Sequence, residues 1–240
     1  MAQKPQSILG KFLVWRLKNI PQRQFILVLS VLVGLISGSV AVLLKNSVHF
    51  IQEILRGEYL LDFHILFYFG FPLIGIFLTV LIARAIIKEP IGDGIPSTLY
   101  AISKRNGIIR PFKMYASIIT SSITVGFGGS VGLEGPTVST GAAIGSNLAR
   151  IMHLNYKSRI LLISCATTGA LSSILQTPIA AVVFAIEVFS LDLTLGSLVP
   201  LLLSSVAGAL MSIFFTGEDY LFPFKIQEAF MVNDLPFYLI

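Results

Sequence analysis

Apolar positions in this chain fall in long blocks rather than in alternation, and polar residues collect at the joints between blocks. The run Phe25–Leu44 carries no charge and closes at Lys45, which is about the 20 residues one helical crossing of a hydrocarbon core requires. A joint with Glu53, Arg56, Glu58 and Asp62 follows, then a block from Ile65 to Ile87 interrupted by Gly70 and Pro72. Further blocks cover 115–127, 137–149, 160–189 (broken at Pro178) and 195–215, and Leu235-Pro-Phe-Tyr-Leu-Ile looks like the opening of another. Ahead of them all, residues 7–20 mix apolar and basic positions too evenly to cross a bilayer. They predict an amphipathic helix lying in the interface, with Trp15 and the lysines at headgroup level. The expected organisation is an N-terminal segment over 1–24, a membrane bundle over 25–216, and a connection over 217–240 that starts a second unit.

Several blocks are too short to span, and glycine or proline stands at their starts. Non-helical backbone at membrane depth is tolerated only where protein buries it or water reaches it, and short, Gly/Pro-interrupted segments point to a substrate site built from broken helices. Dense Gly, Ala, Ser and Thr over 137–149 and 164–173 serve close helix packing. Packing alone does not call for Gly-x-Gly or Glu-Gly-Pro.

Composition sharpens this picture. Of 240 residues 55% are hydrophobic and only 12% charged, about half the charge fraction of a soluble domain. The chain therefore reads as all-helical and membrane-embedded. Its net charge of +5 is uneven: Lys4, Lys11, Arg16, Lys18 and Arg23 precede the first block with no acid among them, which predicts a cytoplasmic N-terminus. That cluster abuts a span and lacks an aromatic or glycine-rich binding pattern, which argues against nucleic acid. Nor is it a cleaved leader, because the basic region is long and the apolar run extended. The single cysteine, Cys165, sits in an apolar block and rules out a disulfide framework.

Two starts carry the chemistry. Gly92-Asp93-Gly94-Ile95-Pro96 leads into Ser97-Thr98-Leu99, and Gly132-Leu133-Glu134-Gly135-Pro136 leads into Thr137-Val138-Ser139. Proline early in a helix gives up no hydrogen bond, and glycine leaves the backbone ahead of it bare. Unpaired N–H groups and the positive dipole end both favour an anion. Two such ends together form an anion site without a full positive charge, from which the ion can still leave.

These motifs resemble the Gly-Ser-Gly-Ile-Pro and Gly-(Lys/Arg)-Glu-Gly-Pro motifs of the CLC chloride channels and chloride/proton antiporters. Gln176-Thr177-Pro178-Ile179-Ala180 with Phe184-Ala185-Ile186-Glu187 is similar to the Asn-Ala-Pro segment of that family and the acidic helix end after it. The resemblance implies an all-α inverted-repeat bundle with partly spanning helices, a pore in each subunit, and pairing as a homodimer. Chloride would be the transported ion, with no cofactor, metal or enzymatic role. Residues 1–240 would supply the first repeat and little more, since the Gly-x-Phe-x-Pro motif and pore tyrosine of the second half are absent. By the same resemblance Gly92, Asp93, Gly94, Ile95, Pro96, Gly132, Gly135 and Pro136 frame the anion, and Glu134 gates it, occupying an anion site when ionised and swinging out when protonated. A carboxylate at membrane depth marks function by default; the alternative is that Glu134 merely caps its own helix.

Two positions depart from the family pattern, and a third separates its subfamilies. Asp93 replaces a serine that helps bind the central chloride, so its carboxyl is expected to be protonated or turned onto the following amides. Leu133 replaces a basic residue. Val188, one position after Glu187, stands where the antiporters carry an inner proton-transfer glutamate, which favours a passive, gated chloride channel over a proton-coupled exchanger. A hydrolase using Glu134 as base would need a metal site or a nucleophile–base pair. His49, His64 and His153 offer no such spacing, and Ser139, Ser164 and Ser172 have no histidine near in sequence. A non-conducting structural or regulatory role is the remaining reading. The basic runs Lys104, Arg105, Arg110, Lys113 and Arg150, Lys157, Arg159 read as loops facing phospholipid headgroups, the first run alternatively as raising anion concentration at a cytoplasmic vestibule, and Phe67, Tyr68, Phe69 and Phe71 as an aromatic belt.

Overall fold

The structure, a computed structural model, describes residues 8–55, 64–89, 92, 94–191 and 194–217. In chain order these form α1 (Ile8–Asn19), α2 (Gln22–Leu55), α3 (His64–Ile82) running into a π-helical turn (Ala83–Ile87), α4 (Gly94–Lys104), α5 (Lys113–Gly126), α6 (Glu134–Ile151), α7 (Tyr156–Leu175), α8 (Pro178–Phe189) and α9 (Leu195–Thr216). Every regular element among the described residues is helical. Four helical stretches, Gln22–Leu55, Gly70–Ile87, Tyr156–Leu175 and Leu195–Thr216, are long and apolar enough to cross a membrane.

The apolar blocks fall inside helices, with two differences. α2 does not stop at Lys45 but continues to Leu55, because Val48 is buried on the inner face while Lys45 is half-exposed at the edge. The lysine ends the greasy stretch without ending the helix. Likewise Pro72 lies within α3 rather than breaking it. Pro178 does break the chain: Gln176 turns it in a left-handed conformation (φ 54°), and the proline opens α8 in its first turn. Asn155 caps α7 by accepting from the Ser158 N–H at 2.9 Å, and Thr194 with Ser197 forms a capping box on α9. In α1, Trp15 is exposed as the interfacial pattern requires, but Arg16 is buried. Its guanidinium covers the Phe25 ring at 3.7 Å and bonds Gln22, tying α1 to the start of α2.

Helices α2, α7 and α9 meet at bare backbone. A Cβ on Gly38 would stand 2.8 Å from the Gly208 Cα, and one on Gly169 would stand 2.7 Å from the Gly34 Cα. Gly34 and Gly38 lie four residues apart, so both face the same seam. Around it the core is built from Val33, Leu162, Leu171 and Leu201.

The joints sort onto two ends of the bundle. At the near end, which holds the start of α2, Gln22 bonds Ser158 at 3.3 Å, Tyr156 bonds the Ile102 carbonyl at 3.3 Å, and Arg159 donates to the carbonyls of Asn106 (2.9 Å) and Leu154 (3.2 Å). At the far end a Cβ on Gly126 would strike Ile51, and Gln176 bonds Ser212 at 3.4 Å. Helices α4 and α6 end at the near end, but each begins within the bundle.

Candidate functional site: two helix starts in backbone contact

The starts of α4 and α6 touch. A Cβ on Gly94 would meet the Gly135 carbonyl carbon at 2.7 Å and Cα at 2.8 Å, with the carbonyl oxygen closer still. Only glycine allows that approach. Gly92, just ahead, has φ 71°, a left-handed conformation that costs an L side chain energy. Ser97 and Thr98 close the first turn of α4 by donating to the Gly94 carbonyl at 3.1 and 2.9 Å. Ile95 packs against the core while Pro96 is exposed. Asp93 lies outside the described residues, and so does the expectation about its carboxyl.

Glu134 is the first residue of α6 and is exposed. The side chain of Leu133, which precedes it, offers no cap, and Thr137 serves the Leu133 carbonyl (Oγ1 2.7 Å, N–H 3.1 Å). Among the described residues the Glu134 carboxylate has no hydrogen bond or ion pair. It does not cap its own helix in this conformation. Instead it folds back over Gly132, where a Cβ would collide with Oε2. Gly132 thus provides the space the carboxylate occupies, a role that its place in the motif does not reveal. Gly135 has open space where its Cβ would be, and Pro136 is half-buried. The first-turn amides of α6 have no partner within the helix. Chemically, two positive dipole ends converge beside an unpaired carboxylate, an arrangement that can hold an anion or be occupied by that carboxylate.

Glu187 and Val188 lie in the last turn of α8, toward the near end and away from this contact. Glu187 is exposed; Val188 is half-buried and packs against the core. The three motifs are therefore not one cluster: two form the contact, and the third marks another level of the molecule. Lys113, expected to face phospholipid headgroups, turns inward instead: its Nζ donates to Ser97 Oγ at 3.1 Å and lies 3.5 Å from where a Gly92 Cβ would be. Burial first, and then the Arg105 charge, lowers the pKa of this near-end ammonium below the ordinary lysine value. No periodic signal links positions 97 and 113. Arg159, read as a solvated loop residue, is in fact a half-buried brace between two joints. Ser139 bonds Ser117 at 3.2 Å and Ser164 bonds the Ile160 carbonyl at 3.0 Å, so neither is paired with a base. No group of three or more His, Cys, Asp or Glu among the described residues could hold a metal. The side chains of 64–69 lie outside the described set, and with them Phe67, Tyr68 and Phe69 of the expected aromatic belt; its fourth member, Phe71, is half-buried.

Residues 74–240 match the family described as voltage gated chloride channel. The chain belongs to that family. Among its CLC relatives, the H(+)/Cl(-) exchange transporter ClcA of Vibrio cholerae is 26% identical over 259 residues, an alignment covering 100% of this chain and 52% of ClcA. Chloride channel protein CLC-e of Arabidopsis thaliana is 22% identical over 239 residues, covering 92% of this chain and 33% of CLC-e. Among solved structures, a slow cyanobacterial Cl-/H+ antiporter superimposes with a TM-score of 0.75 at 19% identity, over 92% of this chain and 53% of the antiporter. A CLC-type fluoride/proton antiporter gives 0.67 at 23% identity, over 90% and 52%. The chain spans about half the length of ClcA. The helical CLC membrane fold implied by the motifs is the fold observed, and this is an integral membrane protein of the CLC family.

Proposed function

We propose that this chain forms part of a chloride pathway in which Glu134 is the gate and chloride is exchanged for protons. The observation that carries the reading is the backbone contact between the starts of α4 and α6, with an unpaired carboxylate beside it. Ionised, the carboxylate takes the place of an anion at the helix ends; protonated, it loses that attraction and vacates the site. The names of ClcA and of the cyanobacterial antiporter favour coupled exchange. Coupling needs a second proton carrier, and Glu187, exposed in the last turn of α8, is the acid we assign to it. A passive channel is the second reading, favoured by Val188, which cannot carry a proton and is turned against the core.

The basic α1–α2, α4–α5 and α6–α7 joints share the near end, which supports a cytoplasmic assignment for that end and for the N-terminus. Pairing as a homodimer follows from the family resemblance and belongs to the same proposal.

Proteoliposomes containing the protein, given a chloride gradient while proton movement is recorded, test the exchange. Uphill proton movement that Glu187→Gln abolishes supports it. Chloride flux without proton movement selects the channel. Absence of any chloride flux overturns both.

A further inference from the structure

A cavity of about 460 Å³ lies on the near-end side of α4, between that helix, the joint 105–112 and the start of α5. Its charged lining is Arg105, Arg110, Lys113 and Glu89, three cations against one anion. Glu89 is taken by an ion pair with Arg110. Lys113 gives one N–H to Ser97, and two of its three protons remain. Arg105 stands 5.6 Å over the Tyr100 ring, and its guanidinium has no hydrogen-bond partner among the described residues. Among the described residues the cavity thus holds several unpaired cationic donors and no further counter-charge for them.

Size and setting narrow the ligand. The volume falls in the small-molecule range of ~300–1,000 Å³ and far exceeds a bare halide. An ammonium beside a planar guanidinium fork suits the oxygens of a phosphate. Ile86 and Tyr115 expose apolar surface on the helices that flank the cavity, as expected at a boundary between hydrocarbon and headgroups. Basic pockets between helices at that depth recognise anionic headgroups.

We propose that this cavity binds a phosphate-bearing anion, either the headgroup of an anionic phospholipid or soluble phosphate of the same chemistry. The cavity shares Gly92, Pro96 and Ser97 with the start of α4 and so adjoins the α4–α6 contact; the proposal stands whether or not the protein exchanges protons. The test is thermal unfolding of the detergent-purified protein with short-chain phosphatidylglycerol, the matching phosphatidylcholine, inorganic phosphate, and sodium chloride at equal ionic strength. The expected result is a rise in midpoint with phosphatidylglycerol alone, and at least a tenfold weaker apparent affinity in Lys113→Gln/Arg105→Gln. Lys113→Arg should retain binding. A rise with inorganic phosphate at similar concentration, lost in the same double variant, supports the site and assigns it to a soluble anion. Should the double variant not fold, Arg105→Gln alone, at an exposed side chain, should bind several-fold more weakly. An unchanged phosphatidylglycerol response in these variants, or an equal response to phosphatidylcholine, overturns the proposal.

Discussion

Two neighbouring glycines in one contact should respond oppositely to the same substitution. In Gly94→Ala the new methyl would stand 2.7 Å from the Gly135 carbonyl carbon and closer to its oxygen, and ordinary contact begins at 3.4 Å, so the start of α4 must retreat by at least about 0.7 Å. No flexible side chain can yield, because the obstructing atoms are backbone. The clash should cost about 1–3 kcal/mol of stability. Its larger effect falls on the anion, which loses alignment with one of two helix ends. A helix end contributes up to about 2 kcal/mol to a partly buried charge, so chloride affinity should fall by up to about 30-fold. Gly135→Ala meets nothing within 4 Å. It should leave affinity within about twofold and gain at most about 1 kcal/mol from helix propensity. Calorimetric titration of both variants with chloride, alongside their thermal midpoints, measures the contrast. Wild-type affinity in Gly94→Ala, or equal losses in the two variants, would refute the convergence of α4 and α6 as the anion site.

Further outcomes follow from the same geometry. Glu134→Gln should leave an anion pathway that no longer responds to external pH, since the side chain can neither ionise nor release a proton; persistence of the wild-type pH profile in flux assays would remove Glu134 as gate. Gly208→Ala, whose Cβ would stand 2.8 Å from the Gly169 Cα, should cost about 1–3 kcal/mol in denaturant unfolding, whereas Gly196→Ala, with 3.6 Å to its nearest neighbour, should not. Arg159→Met removes two donations to backbone carbonyls and should cost about 2 kcal/mol. Hydrogen exchange should then quicken over residues 104–109, and unchanged protection there would deny Arg159 its bracing role.

The sequence was most informative where chain geometry and solvent demand the same residue. Gly94 is needed because it meets the Gly135 backbone, Pro96 and Pro136 because a helix is starting, and all three are visible as punctuation in an apolar chain. Charge was a poorer guide. Lys45 marks where hydrocarbon solvation stops, a different boundary from the end of α2, because a half-exposed lysine at the edge of an otherwise buried face does not interrupt backbone hydrogen bonds. Contacts made by long side chains between distant segments left no local trace. Lys113 reaches Ser97 and Arg159 reaches Asn106 only because the joints stack at one end, which requires the whole bundle. The assignment of Val188 to a channel rested on one side-chain identity, and the relatives' names weigh against it.

The reach of α2 bears on how Glu134 meets water. At about 1.5 Å per residue its 34 residues measure about 51 Å, against a hydrocarbon slab of about 30 Å. Fitting all of it inside would demand a tilt of about 54°, beyond the range of about 0–40° that such helices adopt. The stretch after Lys45 therefore stands clear of the oil like a post above a waterline. Ile51 on that post presses against Gly126, which sets the end of α5 at the shore, from where 127–133 lead back to the start of α6 within the bundle. On the proposed gating, a proton bound for Glu134 would then come from the compartment at that end, entering along the joint that precedes α6.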